Sequence, residues 1–325
     1  MGSVAVTSQE ARLLCRENRL TNTSGVAPGY LQANLLVLPA KYAVDFHDLC
    51  LRNPVSCPLL GKTAIAGDPL AVQPAQCIQT SDFDMRTDFP KYRVYRDGKH
   101  LETRCDLRDL WTSDHVGFLI GCSFSFEDAL TAAGLQPRHQ KTNSIVAMYR
   151  SNIPLLPAGV FTGANCIVSM RPYRPEQIDR VREVTRPYLS THGEPVAWGW
   201  DGAKNLGITN IDNPDFGQPQ VFGEGEVPVF WVISLLLFPG FSLISLSQGL
   251  WSDTTDCGRV RRCANRRFSL CSRTWTYADN GLDGREPAEP PTGYCLKEDR
   301  QSLSYDFTIQ SIDLVRQSWL LPLQV

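Results

Sequence analysis

The chain has 325 residues, enough for one large or two ordinary domains, each with its own buried core. Its 32 basic and 34 acidic residues nearly cancel and no long Lys/Arg run occurs, which argues against a nucleic-acid or anionic-membrane partner and for a small ligand. Eleven cysteines scattered along a chain this long read as reduced thiols, without a Cys-x-x-Cys pair, and His47, His100, His115, His139 and His192 show no metal-ligand spacing, so neither a metal nor another cofactor is called for.

The N-terminus carries Glu10 and Glu17 among its arginines and has no apolar core of signal-peptide length. A cytoplasmic protein is the default expectation, with a mitochondrial one and a homo-oligomer left open.

Ser8 to Leu20 suits a surface helix capped by Ser8, and Thr21 to Tyr30 (TNTSGVAPGY) a loop. Lys41 to Arg52 predicts an amphipathic helix that ends before Asn53-Pro54, and Pro54 to Pro90 reads as mostly loop. Tyr92 to Leu101 alternates around Asp97-Gly98, a two-residue hairpin signal. Val116 to Ile120 predicts a buried strand that leaves through Gly121-Cys122-Ser123 into a helix capped by Ser125, with Asp128 in the capping-box position and a stop at Gly134. Strand-like runs follow at Ser144 to Tyr149, Cys166 to Met170, Pro195 to Trp200 and Val227 to Trp231, with a helix at Pro175 to Arg186. This order indicates an α/β fold, a mixed sheet with flanking helices.

Three places could carry chemistry. At the exit of the Val116 strand a small-residue turn opens a helix, so free N–H groups and a dipole end converge where a carboxylate or oxyanion is favoured, with Cys122, Ser123 and Glu127 nearby. A buried core thiol and a simple cap account for the same pattern. The loop DFDMRTD gathers Asp82, Asp84, Arg86 and Asp88, where Arg86 could hold a substrate carboxylate and Asp84 act as a base; a surface ion pair is the commoner outcome of such a cluster. In SMRPYRP, Arg171 leaves a strand as a second carboxylate clamp or as a solvated strand end, and Arg150 with Asn152 in YRSN has the same form and the same two readings. Gly25 and Gly29 would allow backbone to approach a ligand closely.

Taken in order, TSGVAPGYLQANLLVLP, DFHDLCLRNPVSCPLL, DMRTDFPKYRVYRDG, DLWTSDHVGFLIGCSFSFEDAL, AMYRSNIP, IVSMRP and GITNIDNPDFG followed by GEVPVFW resemble the D-glutamate cyclase family of hydro-lyases over residues 11 to 231. The resemblance implies an enzyme of two intertwined lobes that removes water, with D-glutamate closing to 5-oxo-D-proline as the family's best-defined chemistry, and an amino-acid or carboxylate substrate. That reaction needs a base for the amine, for which Asp84 or Glu127 is available, and donors for a tetrahedral oxyanion, which the Gly121 to Ser123 turn could supply. Arg86 or Arg171 would hold the α-carboxylate, and a covalent route through Cys122 is open but unnecessary. The alternative is a non-catalytic amino-acid-binding module.

After GEVPVFW the family pattern stops. Residues 1–231 are expected to form the hydro-lyase-like region, C-terminally incomplete, and residues 232–325 a poorly ordered tail outside the family, without strand or helix period after Leu246. Val229 to Leu246 is nearly all apolar, but it is short for a membrane span and is broken by Pro239-Gly240. A retained intron followed by a frameshift accounts for more: back-translation of Leu250 to Cys257, shifted by one base, restores a CGVTPQ motif, and Ser272 to Asp279 likewise yields HAPGHM.

Overall fold

The computed structural model of the chain describes residues 7–21, 23–78, 80–96, 99–233, 307–310 and 321–322. All of them belong to one unit formed by residues 1–250 and 305–325. A capping box opens α1 (Ser8–Arg16): Glu10 N–H donates to Thr7 Oγ1 at 3.2 Å, and Thr7 N–H donates to the Glu10 carboxylate at 2.7 Å. The cap is therefore Thr7 rather than Ser8, because only Thr7 has a glutamate three residues on. The helix stops at Arg16, short of Leu20, and Asn18 takes a φ of 57° just beyond it.

The expected loop follows and leads into β1 (Tyr30–Leu31) and β2 (Ala33–Pro39). α2 (Ala43–Arg52) turns Phe46, Leu49 and Cys50 inward and ends at Asn53 as expected. The stretch 54–90 holds more than loop, since β3 (Leu59–Thr63) and β4 (Val72–Gln73) lie within it. The hairpin is present as β5 (Tyr92–Arg96) paired with β6 (Lys99–Arg104), while Asp97 and Gly98 lie outside the described residues. β7 (His115–Gly121) is buried along its whole length.

Beyond it come α3 (Glu127–Ala132), α4 (Arg138–Lys141), β8 (Ala147–Pro154), β9 (Asn165–Tyr173) and α5 (Ile178–Thr185). The strand expected at Pro195 to Trp200 shrinks to β10 (Ala197–Trp198), because Gly199 at φ 75° turns the chain into α6 (Gly199–Asn205). β11 (Val227–Ile233) runs two residues past Trp231. Two further short strands, β12 (Phe307–Gln310) and β13 (Leu321–Pro322), lie in the stretch expected to show no sustained strand or helix period after Leu246. β12 pairs with both β2 and β5, and a short β-prone run satisfies the two edges that would otherwise stay open. The other expectations for the tail concern residues 234–306, 311–320 and 323–325, which lie outside the described residues.

The strands form a seven-stranded sheet, β4-β3-β7-β2-β12-β5-β6, a four-stranded sheet, β10-β11-β9-β8, and the pair β1-β13. The fold is thus a combination of helices and sheets, as expected. Among the described strands every pairing is antiparallel, so the sheets are not mixed in strand direction.

Period-2 alternation assigns the two faces of the large sheet. Leu35, Val37 and Leu119 meet Met85 and Phe89 on one side, and Leu36, Leu38, Phe118 and Ile120 meet Phe46 and Leu49 of α2 on the other. In the small sheet Tyr173, Val229 and Trp231 face Phe126 and Leu130 from the α3 side and Val181 of α5, while Val168, Met170 and Phe230 face Ala203 and Leu206. Among the described residues no helix is long and apolar enough to cross a membrane.

Candidate active site

β7 ends at Gly121 because the next segment must pass close to residues 190–191: a Cβ on Gly121 would stand 2.0 Å from the Ser190 carbonyl oxygen. Two of the three amides expected to be free at the exit turn are engaged. Gly121 N–H donates to Pro58 O and Cys122 N–H to Gln32 O, both at 2.8 Å. Ser125 is not a helix cap either. Its hydroxyl accepts Gln32 N–H at 2.7 Å and lies 3.3 Å from Gln32 O, so it ties the turn to the start of β2, and no capping box with Asp128 forms. Residues Ser123–Phe126 make a 3-10 turn instead, and its last step swings the first residue of α3, Glu127, into the interior.

Glu127 meets Arg171, which β9 presents on the same face as Tyr173 and directly opposite Val229 of β11. The two side chains are 1% and 0% exposed, and Arg171 Nη2 and Nε donate to Glu127 Oε1 at 2.6 and 3.1 Å. Arg171 Nη1 also donates to Ser169 Oγ at 3.1 Å and Nη2 to Ser123 Oγ at 3.2 Å. The rings of Phe126 and Trp231 pack against the guanidinium, at 5.3 and 5.1 Å from its carbon to their centroids. A guanidinium so occupied is a framework cation with little left for a carboxylate clamp.

The other carboxylate oxygen of Glu127 is equally engaged. His139 Nε2 lies 3.2 Å from Oε2, Gln140 Nε2 donates to it at 3.0 Å and Ser24 Oγ at 3.4 Å. Burial pushes the Glu127 carboxyl upward, but the His139 and Arg171 charges and their hydrogen bonds outweigh it and hold the group down at about 2. Glu127 is ionised and surrounded by donors, which suits an anchor better than the general base expected of it. Burial, with the Glu127 charge next door, raises Asp128.

His192 adjoins the same junction with Nδ1 2.8 Å from Val55 O; burial first, then the nearby Arg171 charge, lowers it to about 4 against the upward pull of that carbonyl. Cys122 is buried at the exit turn. Gly25, at φ 70° with nothing within 4 Å of where a Cβ would stand, sits in the loop that brings Ser24 to Glu127.

The remaining expected residues lie elsewhere. Arg86 pairs bidentately with Asp84 of its own loop, Nε to Oδ1 at 3.0 Å and Nη2 to Oδ2 at 2.8 Å, and no contact joins it to Arg171 among the described residues. Around that loop Asp88 takes Arg12 at 3.4 Å and Arg16 Nη2 at 2.8 Å, so DFDMRTD fastens α1 to the body. This is the structural ion-pair reading. Arg150 is exposed beside Asp215 and the Phe216 ring, and Asn152 donates to Asn205 O at 2.9 Å, which makes both of them braces for the 205–216 segment.

Sequence reasoning missed Ser24, His139, Gln140, Ser169 and Trp231 as members of the cluster. Ser169 was within reach, since it stands two residues before Arg171 and shares its face. His139 and Gln140 carried no such signal, being twelve and thirteen residues from Glu127 in another element. Among the described residues no three His, Cys, Asp or Glu side chains converge to hold a metal ion.

Comparison with known proteins places this geometry in context. The D-glutamate cyclase family profile matches residues 116–235, a stretch that contains Ser123, Glu127, His139, Ser169, Arg171 and Trp231. A Schizosaccharomyces pombe protein is 52% identical over 223 residues, covering 68% of this chain and 73% of its own. A Rhodopseudomonas palustris (strain HaA2) protein is 44% identical over 230 residues, covering 71% and 81%, and a Geobacillus kaustophilus protein 46% identical over 227 residues, covering 70% and 83%. Each of the three bears the name "Putative hydro-lyase".

Proposed function

The chain belongs to the D-glutamate cyclase family of hydro-lyases, and on that premise we propose that it is a lyase that removes water from a small amino acid, closing D-glutamate to 5-oxo-D-proline at the Glu127–Arg171 cluster. The observation that supports this reading is a fully buried ion pair at the end of a central strand, fed by side chains from four separate stretches of chain: Ser24, Ser123 with Glu127, His139 with Gln140, and Ser169 with Arg171. Fixed dipoles and charges in a water-excluded place act on developing charge with little reorganisation, which is what a tetrahedral intermediate needs. The glycine-containing loop 23–29 is the partly exposed wall of the cluster, with Ser24 half-buried and Pro28 and Gly29 exposed, so a small substrate would enter on that side.

A specific observation favours a second reading. A carboxylate as strongly ionised as Glu127 is a poor base, and a cluster of this kind could recognise an amino acid without converting it. Incubation of the full chain with D-glutamate separates the two. Formation of 5-oxoproline with loss of water supports the lyase; saturable binding in a calorimeter without any product supports the binding module.

A further inference from the structure

Two polar atoms at this cluster have no hydrogen-bond partner among the described residues, Nδ1 of His139 and Nε1 of Trp231. Both side chains are more than nine-tenths buried, His139 at 4% exposure and Trp231 at 0%. An unpaired buried polar atom is costly to keep out of water, so its persistence calls for a use. The two needs are complementary: an indole N–H only donates, whereas an imidazole nitrogen without hydrogen only accepts. An amino acid offers an oxygen to the first and an N–H to the second.

The tautomer of His139 follows from its other nitrogen. Nε2 lies 3.2 Å from Glu127 Oε2 and 3.1 Å from Oε1, and an ionised carboxylate can only accept, so Nε2 carries the hydrogen. The charge that His139 exerts on Glu127 belongs to the protonated ring; in the neutral ring Nδ1 holds a bare lone pair. Phe124 fixes the ring plane, stacked at 6.2 Å between centroids and 24° between planes. Gln140, the next residue of α4, binds the same carboxylate and holds the helix to it.

The geometry points to His139 Nδ1 as the proton carrier of the dehydration, with Glu127 as the positioning residue that sets its tautomer. The inference rests on the hydro-lyase reading of the same cluster. In the reaction the amine of the substrate, as an ammonium, gives a proton to Nδ1, and its nitrogen pair forms the C–N bond to the side-chain carboxyl carbon while the C=O π pair moves onto oxygen. The protonated Nδ1 returns that proton to a carboxyl oxygen. A second transfer from nitrogen to the same oxygen lets the C–O bond break with its electron pair while the other oxygen re-forms the C=O bond, and one water leaves. Two hydrogens of the ammonium and one carboxylate oxygen make up that water, the charges cancel, and His139 ends as it began.

The test uses the full chain and its His139→Gln variant, whose side-chain amide can keep the bond to Glu127 but cannot carry a proton. Wild type should form 5-oxoproline from D-glutamate, and the variant should bind D-glutamate in a calorimeter with KM changed only a few-fold while kcat falls by about 100-fold or more. In nitrogen-15 histidine spectra of the wild type, neutral His139 should show the hydrogen on Nε2. A variant that turns over within a few-fold of wild type, or a neutral ring with its hydrogen on Nδ1, overturns the assignment. A wild type that makes no 5-oxoproline removes the D-glutamate reading instead, and the tautomer spectrum then decides the His139 assignment alone, as it does if the variant fails to fold by circular dichroism.

Discussion

Arg171 Nη2 stands 2.6 Å from Glu127 Oε1 with both side chains withdrawn from solvent, and the pair joins the first turn of α3 to the middle of the small sheet. Two charges taken out of water are costly even when well paired, and removing one of them leaves the other stranded. Arg171→Ala and Glu127→Ala should each destabilise the folded chain by about 3–5 kcal/mol. The double variant Arg171→Met/Glu127→Leu should lose much less than the sum of the two. Urea unfolding measures all three, and single variants as stable as wild type would show that the pair is not buried as described.

The Asp84–Arg86 pair is the counterexample, because its side chains keep 17% and 30% exposure and belong to one loop. Arg86→Ala should change stability by less than about 1 kcal/mol and leave kcat/KM within a few-fold of wild type. Asp88→Ala should behave differently. Its carboxylate is fully buried between Arg12 and Arg16, so its loss should cost about 3 kcal/mol and loosen α1. Protease sensitivity at α1 would report that loosening; equal effects of the two variants would contradict the contrast.

Two glycines singled out by their sequence context separate on space alone. At Gly121 an added methyl would enter the Ser190 backbone, 2.0 Å from its oxygen, so Gly121→Ala must push residues 190–191 away from β7. At Gly25 there is room, and only the φ of 70° opposes a side chain. Gly25→Ala should cost about 1–2 kcal/mol and Gly121→Ala clearly more, measured by thermal unfolding. The reverse order would mean that the strand exit is wider than the structure places it.

Much of this architecture is visible in local sequence because its causes are local. HVGFLIG has to be a buried strand, and the runs around residues 97–98 have to pair as a hairpin. NLLVLP is as apolar as β7, yet it follows a proline- and glycine-containing loop, and β2 went unassigned. LLGKT alternates too weakly to stand out from its loop surroundings, so β3 was lost as well. In the site, Glu127, Arg171 and Ser123 could be named because they sit where a strand ends or a helix begins. Their roles could not: whether a guanidinium is a free clamp or is already spent on Glu127 depends on the antiparallel register that brings β9 under α3. Asp84, Arg86, Arg150 and Asn152 each find a partner outside this cluster.

The acid side of the stability curve should carry two separate steps. His192 is an acceptor of protons whose buried place lowers it from 6.5 to about 4. Below pH 6.5 the unfolded chain binds that proton and the folded chain does not, so this contribution is fully present above 6.5 and is lost as pH falls toward 4. Glu127 is an acid held at about 2 against an ordinary 4.5, so its contribution is present above 4.5 and is lost as pH falls toward 2. Asp88, raised by burial, works against Glu127 over the lower range and flattens that second step. Between pH 6.5 and 4 the part of the slope due to His192 should therefore approach one proton, about 1.4 kcal/mol per pH unit, and His115, also lowered by burial, adds to it in the same direction. His192→Asn tolerates the backbone φ of 86° and removes the titrating group. It will lower stability throughout by losing the bond to Val55, so the slope and not the height of the curve is the measurement. Urea unfolding at half-unit steps should show the slope between pH 6.5 and 4 falling by about one proton in His192→Asn while the drop below 4.5 remains; an unchanged upper slope would mean that His192 is protonated in the folded chain.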